Sequence, residues 1–92
     1  MTLVANLALR ARVRLLRAEF NRRYQALDAK GLVGYGPGNA LFEARCDLQM
    51  AEPMIGRRKH AKGVEIIDRL EKEWMVKWWA HRKMGYVINM RA

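Results

Sequence analysis

The stretch LVANLALRARVRLLRAEFNRRYQALDA, residues 3–29, decides the fold. Placed at 100° per residue, Leu9, Val13, Leu16, Phe20, Tyr24 and Leu27 fall within an arc of about 80°. Their spacings of three and four residues trace one helix face through about five turns. No Gly or Pro interrupts the pattern, so it predicts a rod of about 40 Å at about 1.5 Å rise per residue. Thr2 is placed to cap its N-terminus, and Gly31 stands where a left-handed C-cap belongs.

Beyond this helix, GLVGYGPG at residues 31–38 breaks regular structure and reads as a loop. Asn39 can cap a second helix over about 40–52, carrying Leu41, Phe42, Ala44 and Leu48. Pro53 lacks an N–H and disfavours helix at Glu52, which ends or kinks that element. GRRKHAKG at residues 56–63 is a basic connector. A last helix is predicted over about 64–87, with Ile66, Ile67, Leu70, Trp74, Trp78, His81 and Met84 on one face. Its acids (Glu65, Asp68, Glu71, Glu73) come early and its bases (Lys77, Arg82, Lys83) late, which complements the helix macrodipole. The whole of residues 1–92 therefore reads as one small all-α domain. It is a long helical hairpin or three-helix bundle, either self-contained or completed by dimerisation.

Composition narrows the chemistry. The 92 residues carry 18 Lys+Arg against 9 Asp+Glu, a net charge of +9, and 51% are hydrophobic. So apolar a chain is not a disordered basic tail. It contains no serine, and its only threonine is Thr2, which removes Ser–His–Asp catalysis and the Walker phosphate loop. A lone cysteine, Cys46, closes no internal disulfide and points to a reducing interior such as the cytoplasm. No apolar run approaches a membrane span. The first 18 residues hold four Arg and no acid, as mitochondrial transit peptides do, but they lack the serines of such peptides and run unbroken into the helix.

The positive charge is concentrated in two places. Residues 1–30 carry seven bases against two acids, and residues 56–62 carry four bases and no acid. On the first helix Arg10, Arg14 and Arg17 border one side of the apolar stripe, and Arg12 and Arg23 border the other. Guanidinium groups suit phosphate because their planar fork makes paired hydrogen bonds to an oxyanion. Arg57, Arg58, Lys59 and Lys62 form the densest cluster, next to a predicted helix N-terminus that itself favours anions. With Arg10, Arg14 and Arg17 they are the candidate nucleic-acid-binding residues; a solvated, solubilising face is the plainer alternative.

Trp74 and Trp78 lie on the apolar face of the last helix, whereas Trp79 projects about 100° away with Met75 and Tyr86 nearby. Met75, Trp79 and Tyr86 are the candidate protein interface. Nothing in the spacing pairs Cys46 with His60 or His81 for nucleophilic work. Glu43 and Asp47, four apart, read as an acidic edge before a metal site. The sequence thus predicts a non-enzymatic adaptor without cofactor or metal, binding nucleic acid or a nucleoprotein machine. The competing expectation is a structural or interaction subunit of a larger assembly, such as a virion component or a small inhibitor docking on an acidic protein surface.

Overall fold

The computed structural model describes residues 3–33, 36–77 and 79–80. They form an all-α bundle of three helices. The first, α1, runs Leu3–Ala29. Leu9, Val13, Leu16 and Phe20 are buried, and Leu27 packs against them from the edge. Tyr24 departs from the expected stripe: it is 38% exposed, because it stands on the border of α1 that faces the second helix. Gly31, at φ +69°, ends the helix, and the Leu32 N–H closes back on the Leu27 carbonyl at 2.9 Å. That is the glycine-terminated helix end predicted at this position.

The second helix, α2, spans Gly36–Ala51 and so starts earlier than the expected 40. Pro37 falls in its first turn, where the missing N–H has no helical acceptor to lose. Asn39 is consequently inside the helix instead of capping it. Gly38 is buried, and a Cβ there would overlap the Val33 backbone, so part of the glycine-rich segment serves close packing. Leu41, Ala44, Leu48 and Ala51 face the core. At Pro53 the chain tightens into a 3-10 turn, Glu52–Met54, and Ile55 is buried directly after it.

The third helix, α3, spans His60–Trp74 and begins inside the stretch expected to be connector. The reason is Gly63. A Cβ there would lie 2.9 Å from Met54 Cβ and 3.2 Å from the Ala51 carbonyl oxygen, so glycine lets α3 seat closely on the end of α2. Ile67 and Leu70 enter the core. The helix does not continue unbroken to 87: Met75 leaves it at φ −130°, ψ 54°. Arg23 Nη2 donates to the Trp74 carbonyl at 2.7 Å, taking an acceptor that a continuing helix would use. Helical geometry resumes at 76–77 and 79–80, with the Trp79 N–H on the Met75 carbonyl. Thr2, Trp78, His81, Met84 and Tyr86 lie outside the described residues.

All three helices pack against one another around one core, to which Phe20 and Trp74 contribute an edge-to-face pair at 5.7 Å. Each fully buried Leu, Ile or Phe stabilises this arrangement by about 1.5–3 kcal/mol. The opposite side of α1 remains open, with Val4, Leu7 and Leu15 exposed.

Candidate functional site

The two borders of the α1 stripe meet different neighbours. On the α3 side, Arg12 reaches Asp68 at 2.5 Å and Glu71 at 2.6 Å through Nη2, and its Nε donates to Glu71 at 3.2 Å. The Glu71 side chain is 1% exposed and that of Arg12 17%, so this is a core contact. Burial alone draws the Arg12 pKa down, but the hydrogen bonds and charges of Glu71 and Asp68 together outweigh it and hold the group above its ordinary value. Further along, Arg23 pairs with Glu19 at 3.0 Å and lies 5.3 Å from the Trp74 ring centre. Glu19 also accepts from Arg22. That hydrogen bond, aided by Arg23 and opposed by desolvation, lowers the Glu19 pKa.

On the other border Arg10 and Arg14 are exposed and have no carboxylate partner among the described residues. Arg17 differs: Glu52, from the 3-10 turn, pairs with it. Eleven residues back along α1, the Asn6 amide packs on Gly56, where a Cβ would fall 2.8 Å from Nδ2. With Glu52 beside Arg17 and Gly56 beside Asn6, residues 52–56 run antiparallel along this border. Arg10 stands between those two contacts, and the following turn, Arg57–Lys59, is delivered to the N-terminal half of α1.

The turn itself is ordered by its own hydrogen bonds. The Arg57 N–H donates to the Met54 carbonyl at 3.1 Å, and the His60 N–H to the Arg57 carbonyl at 3.0 Å. The Gly56 N–H donates to His60 Nδ1 at 2.7 Å, which places the imidazole proton on Nε2. His60 Nε2 and Asn6 Oδ1 are enclosed here without a hydrogen-bond partner among the described residues. Gly56 adopts φ +74°, a left-handed conformation that suits glycine and sends the basic residues outward. Arg57, Arg58 and Lys59 are all exposed, again without carboxylate partners among the described residues.

Arg10, Arg14, Arg57, Arg58 and Lys59 are therefore sequence-selected cations that are exposed with no carboxylate partner among the described residues, and the Asn6–Gly56 contact sets the start of the basic turn against the first turns of α1. Lys62 follows Lys59 by one turn of α3 and is likewise exposed. It borders a cleft between α2 and α3 together with Asp47, Glu65 and Arg69, and Arg69 is bonded there to Asp47 at 2.7 Å.

Sequence reasoning overlooked Arg45, because residues 31–55 carry net negative charge. The structure sets Arg45 5.0 Å from the Tyr24 ring centre, across the α1–α2 groove from Arg17 and Asn21. A tyrosine on an apolar stripe with an arginine some twenty residues later carries no signal that the two meet. Of the expected protein interface, Met75 packs against the core, and Trp79 is half-buried with Lys72 Nζ 5.7 Å from its ring centre. Cys46 is half-buried and free. No group of three His, Cys, Asp or Glu side chains able to hold a metal occurs among the described residues. No described helix is long and apolar enough to cross a membrane. Comparisons of the chain with protein-family models, curated proteins and solved structures return no match.

Proposed function

We propose that this protein is a non-enzymatic, basic helical adaptor that binds nucleic acid through its arginine surface. The observation that carries the reading is the contrast among its cations. Arg12, Arg17, Arg22, Arg23 and Arg69 are held by the chain's own carboxylates, whereas Arg10, Arg14, Arg57, Arg58 and Lys59 are exposed with no carboxylate partner among the described residues, and the turn carrying the last three follows the Gly56 contact with Asn6 of α1. A row of guanidiniums fixed on a rigid helix and an ordered turn suits repeating phosphate, and association would release the counterions condensed there. Such contacts supply affinity and position, with little choice of sequence.

Titration of mixed nucleic acids against ionic strength, on protein purified with nuclease and high-salt washing, tests this. Three to five phosphate contacts give a slope of log K against log salt of about −3 to −4.5 on a duplex. Retention that is the same at low and high salt overturns the proposal. So does a complex with an acidic protein that survives high salt while nucleic acid is not bound.

A further inference from the structure

The groove between α1 and α2 continues away from the basic turn. A cleft of about 280 Å³ is lined there by Arg17, Asn21, Arg45, Gln49 and Glu52, over a floor of Phe20 and Leu48. A second, smaller hollow of about 130 Å³ adjoins it, lined by Tyr24, Asn39 and Phe42 and sharing Arg45 with the first. Phe42 is 65% exposed, although it stands one residue from the buried Leu41. Tyr24 is 38% exposed, with the Arg45 guanidinium on its ring. Arg45 has no carboxylate partner among the described residues, and Glu52, the only acid lining the larger cleft, already holds Arg17. From Tyr24 to Arg17 the two hollows follow α1 for about 10 Å, and Arg10 stands about 10 Å further along the helix.

From this arrangement we infer that the α1–α2 groove takes a single-stranded nucleic acid, with bases stacked on Phe42 and on the Tyr24–Arg45 pair. The inference deepens the nucleic-acid reading above and rests on it. Aromatic and guanidinium faces offer stacking surfaces that every base can use, provided it is unpaired. The amides of Asn21 and Gln49 supply donors and acceptors for exposed base edges between those stacking points. The backbone of the strand then runs toward Arg10 and the Arg57–Lys59 turn, where the free cations meet its phosphates. A duplex keeps its base faces inside and reaches only the rim arginines.

Fluorescence anisotropy with labelled oligothymidylate, oligouridylate and a duplex of equal length tests the assignment, with polyglutamate as competitor. Both single strands should bind more tightly than the duplex. Phe42→Ala, at an exposed position, should weaken single-strand binding roughly tenfold and leave the duplex unchanged. Arg45→Gln should act in the same direction, and Arg57→Gln with Arg58→Gln should weaken all three ligands. Equal binding of single strand and duplex, indifferent to Phe42→Ala but lowered by the Arg57–Arg58 variant, overturns the groove assignment while the broader reading stands. Binding of none of the three overturns both. Polyglutamate displacing the strands through a Phe42-dependent contact overturns the groove assignment in favour of an acidic peptide.

Discussion

The two borders of α1 both present arginines, and the fold uses them differently. Toward α3, Arg12 is mostly covered and Arg23 partly so, and both are answered by Glu71, Asp68, Glu19 and the Trp74 carbonyl. Toward α2 and the turn that follows it, Arg10 and Arg14 face solvent with no carboxylate partner among the described residues, as do Arg57, Arg58 and Lys59. Formal charge counts these groups alike. What separates them is whether a carboxylate of the chain lies against them, and only the uncompensated group is left for a ligand.

The sharpest way to break this contrast is to remove one arginine from each border. Arg12→Ala takes the guanidinium away from the enclosed Glu71 carboxylate and should cost about 3–5 kcal/mol in urea unfolding. Arg10→Ala should stay within about 0.5 kcal/mol of the parent. Equal losses would mean that the two borders are not distinct. Replacing both Arg12 and Glu71 by Met should recover much of the loss, since an apolar pair needs no desolvation of charge.

A smaller effect concerns the seat of α3. Alanine at a solvated helix position would be favoured over glycine by about 1 kcal/mol. At Gly63 the added methyl meets Met54 Cβ and the Ala51 carbonyl, so Gly63→Ala should instead lower stability by about 1–3 kcal/mol, read as a reduced thermal midpoint.

Smaller again is the acid response of Glu19. Its pKa is lowered in the folded state, so its contribution is fully present above the ordinary value of 4.5 and fades as pH falls toward the lowered one. Stability measured against pH should therefore decline less steeply below 4.5 in Glu19→Gln than in the parent. An unchanged acid limb would remove Glu19 from the closed border's ion pairing. The smallest effect on stability belongs to the open border: Arg57→Gln with Arg58→Gln should leave unfolding within about 0.5 kcal/mol. The same variant should flatten the salt slope on duplex nucleic acid by about 2. A substantial loss of stability there would show that the turn is held by those side chains.

The helical core was legible because its signal is local. Leu9, Val13, Leu16 and Phe20 repeat with the helix period, and all four are buried. Gly63 reads as the edge of the basic connector because spacing alone does not distinguish a glycine in a loop from one that lets two helices touch. The break at Met75 was hidden for a related reason: it depends on Arg23, 51 residues from the carbonyl it captures. The candidate cations could be counted from the sequence, but their grouping could not. Bringing the basic turn against α1 depends on Asn6 meeting Gly56, and the cleft that Lys62 borders depends on where α3 begins. Arg45 and Phe42 were invisible as a pair of surfaces for the same reason, since the groove exists only between two helices.

The Arg12–Glu71 contact has a consequence for how the bundle assembles. A stripe of apolar residues spaced by threes and fours nearly repeats itself after one turn, so oily packing alone would tolerate α1 sliding by about 5.4 Å along its neighbour. Such a slide would bring Ala8 or Leu16 opposite Glu71 and strand a charge in the interior. The pair thus works as an index mark that admits a single alignment, and the placement of every solvent-facing arginine on α1 relative to the basic turn is inherited from it.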